Sequence, residues 1–168
     1  KFGLPSDPNT EFGCLISEDA AKNVEEQVNA TISSGAKLVC GGKRKGAFYA
    51  PTILDNVTKD MDVAKDMEIF GPVISIIPFK DINEAVEIAN QSSFGLCGSI
   101  ISRDINKAMK VANELECGGA IINGASFYRS FEMPFGGWKH SGIGNEGVLS
   151  TLKEMSRTKT IILKNILK

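Results

Sequence analysis

Asp81-Ile82-Asn83-Glu84-Ala85-Val86-Glu87-Ile88-Ala89-Asn90 and Asp104-Ile105-Asn106-Lys107-Ala108-Met109-Lys110-Val111-Ala112-Asn113 decide the fold, because the second nearly repeats the first. Each opens on an aspartate whose carboxylate can accept the first orphan N–H groups of a helix. Each then carries an apolar i, i+3, i+4 stripe. Each is followed by a glycine-punctuated apolar strand, Gly98 to Ser102 and then Gly119 to Asn123. Ahead of the first lies Val73 to Phe79, nearly continuous in Val73, Ile74, Ile76 and Ile77, with Pro78 near its end. That profile predicts a strand buried on both faces. Strand, helix, strand, helix, strand at this spacing predicts an α/β fold whose parallel sheet is built by right-handed crossovers.

Upstream, Lys1 to Phe12 is rich in Pro, Asp, Asn and Thr and reads as extended loop. Ser17 caps a predicted helix to about Ser33, with Ala20, Ala21, Val24, Val28 and Ile32 near one face. Gly35 ends it and Ala36 to Cys40 follow as a short strand. Gly41 to Gly46 is a basic, solvated turn. Phe48 to Leu54 reads as extended, and Val63 to Met67 as a short helical or turn segment. Downstream, Ala125 to Lys139 is irregular, and Lys139 and His140 read as loop surface. Glu146 to Ser156 reads as helix, with Val148, Leu149, Leu152 and Met155 on one side. Thr158 to Lys164 has strand propensity and a flank of lysines. A strand at a chain end commonly completes a sheet edge, its own or a partner's.

With 168 residues, 42% of them hydrophobic and 23% charged, the chain has the composition of a globular domain with a core of its own. The formal net charge of −1 gives no long-range pull toward nucleic acid or acidic lipid. No apolar run reaches the roughly 20 residues of a membrane helix, so no membrane partner is expected. Cys14, Cys40, Cys97 and Cys117 are widely spaced, and His140 is the one histidine, so no metal site is expected. Cys40 and Cys97 sit in strand contexts where a free thiol behaves as a small buried hydrophobe.

Gly142-Ile143-Gly144-Asn145-Glu146-Gly147 fits a dinucleotide-type glycine pattern and precedes a helix. Its context argues otherwise. No strand runs into the first glycine, and no acidic residue follows on a second strand about 20 positions later. The glycines are read as conformational, with Asn145 and Glu146 capping or charging the helix start.

Two longer motifs carry a resemblance. Glu68-Ile69-Phe70-Gly71-Pro72-Val73 is similar to the "EIFGPV" segment of NAD(P)-dependent aldehyde dehydrogenases. Pro134-Phe135-Gly136-Gly137-Trp138-Lys139-His140-Ser141-Gly142, continuing to Glu146, is similar to their "PFGGxKxSGxGxE". Smaller matches are Gly13 to Ser17, Gly35 to Lys37, Gly41-Gly42, Tyr49 to Leu54, Phe94 to Leu96 and Ile121 to Asn123. Departures are Cys14 for a usual Pro, Met67 for a usual Glu and Asn145 for a usual Arg. The resemblance covers nearly the whole chain, and within the family it is to the succinate-semialdehyde and lactaldehyde type.

The resemblance implies a three-layer parallel-sheet lobe of the aldehyde dehydrogenase catalytic domain, with residues 1–157 as a partial catalytic domain. Residues 158–168 would form a C-terminal oligomerisation strand, making the parent a homo-oligomer. It implies NAD or NADP as cofactor, a small aldehyde as substrate and a cytoplasmic setting. The glutamate matching Glu68 accepts from the nicotinamide ribose hydroxyls in the family, a task that suits a carboxylate. The phenylalanine matching Phe70 packs beside the nicotinamide. Read without the motif, Glu68 is a surface acid and Phe70 a core anchor. Phe135 matches an aromatic of the aldehyde tunnel, or else packs in a core. Arg129 lies in a loop that varies with substrate, and could bind a carboxylate or phosphate bidentately, or be solvated.

Family chemistry runs through a cysteine thiolate that attacks the aldehyde and a glutamate that activates water. No residue of this chain matches either, so no catalytic residue is assigned and the chain alone is expected to be inactive. Glu116-Cys117-Gly118-Gly119 is superficially similar to the base motif but stands too late in the order. The alternative reading is a catalytically silent α/β module for assembly or nucleotide binding.

Overall fold

In the computed structural model, which describes Lys1 and residues 3–165, the Ser17 hydroxyl accepts the Ala20 N–H at 3.0 Å and opens helix α1, Glu18–Ser33. Ala21, Val24, Val28 and Thr31 recur on one face and are buried. Gly35 then takes a φ of +113°, a conformation that costs glycine little, and turns the chain out of the helix.

Four strands follow: β1 (Lys37–Cys40), β2 (Arg44–Lys45), β3 (Phe48–Tyr49) and β4 (Thr52–Asp55). β2 and β3 form a small antiparallel pair around Gly46. β4 is central in a three-stranded sheet. β1 runs antiparallel on one side of it, and β5 (Val73–Ser75) runs parallel on the other, with Thr52 opposite Val73. Val24, Val28, Ala36, Tyr49, Leu54 and Val57 form the core where α1 meets this sheet. Each of its valines and Leu54 stabilises the fold by roughly 1.5–3 kcal/mol on leaving water. Thr52 is buried, yet fully employed. Its hydroxyl donates to the Ala50 carbonyl at 2.7 Å and accepts the Gly42 N–H at 2.8 Å. A 3₁₀ turn spans Asp62–Ala64, and helix α2, Ile82–Asn90, is capped by Asp81, whose carboxylate accepts the Asn83 and Glu84 N–H groups. These elements lie in one compact unit, Lys1–Ser93.

The second unit, Phe94–Lys168, contains β6 (Phe94–Gly95), β7 (Cys97–Ile100), helix α3 (Ile105–Glu114), β8 (Gly119–Ile122), β9 (Trp138–Lys139) and helix α4 (Val148–Glu154). β7 and β8 pair in parallel from Cys97 opposite Gly119 to Ile100 opposite Ile122, and α3 is their crossover. Asp104 caps α3 by accepting the Asn106 and Lys107 N–H groups at 3.0 and 3.2 Å. β6 and β9 pair antiparallel.

Several expectations are corrected. The parallel crossover predicted over Gly98–Ser102 and Gly119–Asn123 is present as β7 and β8, and the remaining described strands form a three-stranded mixed sheet and two antiparallel pairs. The short connection from β1 to β4 contains no helix, and only an antiparallel return can be made without a crossover. The strand beginning at Val73 ends at Ser75, and Ile74, Ile76 and Phe79 are 63%, 46% and 59% exposed. Val73 and Ile77 pack against the core on one side of this segment, while the side chains on the other are only partly covered. The apolar run is present without the second layer that would bury it. Cys40 is exposed because β1 is an edge strand, and Cys14 is exposed too. Cys97 and Cys117 are half-buried; burial pushes the Cys117 thiol above its usual range. All four cysteines are free. Asn145 and Glu146 do not cap α4. Its N-cap is Gly147, while the Glu146 backbone exchanges hydrogen bonds with that of Phe135. Thr158 to Lys164 makes no ladder among the described residues, and the last three positions of the predicted strand, 166–168, lie outside them.

Candidate functional site

Glu68 and Phe70 sit on the segment that enters β5, in the first unit. Met67 and Ile69 are half-buried there, while Glu68 and Phe70 alternate outward. This is the period of an extended chain, with Ile69 packed on the core as the anchor. The Gly71 N–H donates to the Ile69 carbonyl at 2.9 Å, and the Pro72 carbonyl accepts the Thr52 N–H at 2.8 Å. The turn is thereby tied to the central strand. Phe70 is 74% exposed, so the reading as a core anchor fails in this unit. The Glu68 side chain is exposed and enters no ion pair among the described residues. An exposed carboxylate can accept from the hydroxyls of a diol, and an exposed aromatic ring can pack on a flat heterocycle.

Arg129 and Phe135 lie in the second unit, and the fold brings them together. The Arg129 guanidinium carbon stands 3.7 Å from the Phe135 ring centroid, within cation–π range. Its Nη1 donates to the carbonyls of Ser126 at 3.3 Å and Tyr128 at 2.9 Å. The opposite edge, Nε and Nη2, is the edge that grips a carboxylate side-on, and Arg129 forms no ion pair among the described residues. Phe127, Tyr128 and Phe131 stand exposed in the same loop, an aromatic signal that the sequence reading left unused.

Phe135 is half-buried and also walls a hollow of about 230 Å³ within this unit. Gly136, Gly137, Ser141, the segment Gly142 to Glu146 and Glu154 form the rest of its wall, with Leu96. Gly142, Gly144 and Gly147 all take positive φ, so the glycine pattern is conformational, as its context argues. The Ser141 hydroxyl accepts the Gly95 N–H at 2.9 Å and holds this loop on β6. Lys139 is not free loop surface: it belongs to β9, and its ammonium meets Glu116 at 2.7 Å. His140 packs its ring edge-on to Phe94 with centroids 6.4 Å apart. No cluster of three or more His, Cys, Asp or Glu suited to a metal occurs among the described residues. No helix among them is long and apolar enough to cross a membrane.

The sequence profile of the aldehyde dehydrogenase family matches residues 1–161, all but the last seven positions. The chain belongs to the aldehyde dehydrogenase family. Among its relatives, lactaldehyde dehydrogenase of Methanococcus aeolicus is 47% identical over 163 residues, which cover 97% of this chain and 35% of that protein. Aldehyde dehydrogenase 21 of Physcomitrella patens, crystallised with its reaction product succinate, superposes with a TM-score of 0.92 at 39% identity, covering 99% of this chain and 34% of its own. Glyceraldehyde-3-phosphate dehydrogenase GapN of Methanocaldococcus jannaschii, crystallised with NADP, gives 0.90 at 46% identity over 96% of this chain and 35% of its own. The α/β fold of the aldehyde dehydrogenase catalytic lobe is thus established. The chain spans about a third of the length of the relatives it matches.

Proposed function

We propose that this chain is the part of an aldehyde-oxidising enzyme that receives the nicotinamide end of NAD or NADP and the anionic end of a small aldehyde. The observation that carries the reading is the Glu68–Phe70 turn, with its carboxylate uncommitted and its ring in solvent. When bound, the cofactor accepts the hydride. Glu68 then accepts hydrogen bonds from the ribose hydroxyls, and Phe70 limits where the nicotinamide ring can lie. Arg129, held from behind by Phe135 and two carbonyls, presents its side-on edge to a carboxylate or phosphate on the substrate. Two relatives support that class: the product in the Physcomitrella patens enzyme is succinate, and the Methanocaldococcus jannaschii enzyme is named for a phosphorylated aldehyde. The reacting cysteine and the base lie on sequence outside these residues, and the 168-residue chain alone turns over no aldehyde. Thr158 to Lys164 serves a partner subunit's sheet in a homo-oligomer. In support, Ile161, Ile162 and Leu163 are 73–82% exposed. No helix among the described residues is long and apolar enough to cross a membrane; by its resemblance to the family we place the enzyme in the cytoplasm.

The test is Glu68→Gln in the intact enzyme that contains this chain. It keeps the shape and removes the charge that holds both hydroxyls, so hydride transfer in a single turnover should slow by about tenfold or more with an unchanged melting temperature. An unaltered single-turnover rate removes Glu68 from the cofactor site. Formation of NAD(P)H by the isolated 168 residues with lactaldehyde or succinate semialdehyde would favour a self-sufficient module instead.

A further inference from the structure

Helix α1 holds the Glu68–Gly71 turn at both ends from one face. A β-carbon at Gly71 would lie 2.8 Å from Val24 Cγ2, so helix and turn meet there with no space between them. One helical turn on, at the i+3 position, Gln27 Nε2 donates to the Glu68 carbonyl at 3.4 Å, across 41 positions of sequence. The other end of the same amide is unusual. Gln27 Oε1 is buried and has no hydrogen-bond partner among the described residues. Flipping the amide would set its oxygen against the Glu68 carbonyl, so the orientation is fixed by the contact it makes.

For stability this is a poor arrangement. A long hydrogen bond contributes little, while an acceptor buried without a donor is destabilising. An apolar side chain of the same length would serve the packing better. We propose that Gln27 is a positioning residue, fixing the Glu68 carbonyl and hence the direction in which the Glu68 side chain leaves the backbone. The inference rests on the reading of Glu68 as the ribose ligand. Val24 sets the depth of the turn, and Gln27 sets the rotation of its first residue. Misplacement of a carboxylate by a fraction of an ångström is enough to weaken a two-point contact to a diol.

The experiment uses the intact enzyme with Gln27→Met, which keeps the length and loses both polar ends, with Gln27→Leu as a second variant. Glu68→Gln and the double variant complete the cycle. Three quantities are read: the dissociation constants of NAD and NADP by calorimetry, the melting temperature, and the single-turnover rate. Gln27→Met is expected to weaken binding of the enzyme's preferred dinucleotide by about fivefold while the melting temperature holds or rises. In the Glu68→Gln background it should add less than about twofold, because the group it positions is already disabled. Unchanged cofactor binding in both Gln27 variants, with Glu68→Gln impaired, overturns the role of Gln27 and leaves Glu68 standing. A fall in melting temperature in both variants makes Gln27 a structural residue and overturns it likewise. So do additive effects. Parental binding in Glu68→Gln removes the reading of Glu68 itself, and this inference with it.

Discussion

Arg129 shows how a single side chain can be poised and idle at once. Its face is occupied by Phe135 and one terminal nitrogen by two backbone carbonyls. A guanidinium so held has already lost most of its rotamer freedom, so little remains to be lost on gripping an anion. Lysine would keep the charge but neither the stack nor the fork. In the intact enzyme, Arg129→Lys is therefore expected to raise KM for succinate semialdehyde by about tenfold, with KM for an uncharged aldehyde of similar length within about twofold. Equal effects on both aldehydes would make Arg129 a loop-stiffening residue with no part in selecting charge. The sequence named Arg129 and Phe135 separately, as neighbours of one motif. Their contact was not legible, because it depends on how an irregular loop folds back across six positions. Phe70 was misread in its alternative form for a related reason. Aromatic residues are mostly buried, and only the alternation around Ile69 reveals that this one faces out.

At the scale of elements, the sequence was most readable where local rules act alone. Ser17, Asp81 and Asp104 each stand one residue before an observed helix and accept the N–H groups a cap should accept. Glycine at position 35 ends α1 as its positive φ requires. Asp104 carries more than its helix. α3 is the crossover between the parallel strands β7 and β8, so loosening its first turn loosens the connection between them. Asp104→Ala should cost about 1 kcal/mol, seen as a lowered denaturation midpoint, while Asp104→Asn should cost much less because the amide oxygen still caps. A loss as large in Asn as in Ala would show that the negative charge on the helix dipole matters more than the hydrogen bonds. Reading failed where burial depends on a second layer. The run from Val73 has the composition of a two-sided buried strand, yet its residues Ile74, Ile76 and Phe79 face water. Cys40 failed in the same way, since the short run Leu38-Val39-Cys40 gives no sign of whether its strand is central or at an edge. The α4 cap failed because Gly147 supplies a turn that Asn145 and Glu146 were assumed to make.

Over the whole chain, apolar side chains are exposed in a pattern that local sequence could not announce. In the second unit, Val148, Leu149, Leu152 and Met155 of the α4 stripe are 61–83% exposed. The helical period was read correctly, but the burial it usually signals is missing. Beyond α4, Ile161, Ile162 and Leu163 continue the exposure with backbone groups that join no ladder among the described residues. An extended apolar segment with open hydrogen-bonding edges invites strand addition by another chain. The basic residues Lys159 and Lys164 flank it, which discourages unlimited stacking and favours a defined partner. If residues from Thr158 onward serve assembly, their removal from the intact enzyme should lower its mass in solution to that of a smaller oligomer or a single subunit. The melting temperature measured at very low protein concentration, where assembly no longer contributes, should then barely change, because, among the described residues, 158–165 close no ladder and join no core cluster. Light scattering on the truncated and complete enzymes separates the two contributions. An unchanged mass after truncation would assign assembly to another surface, and a collapse of the low-concentration melting temperature would show that the tail folds onto its own subunit.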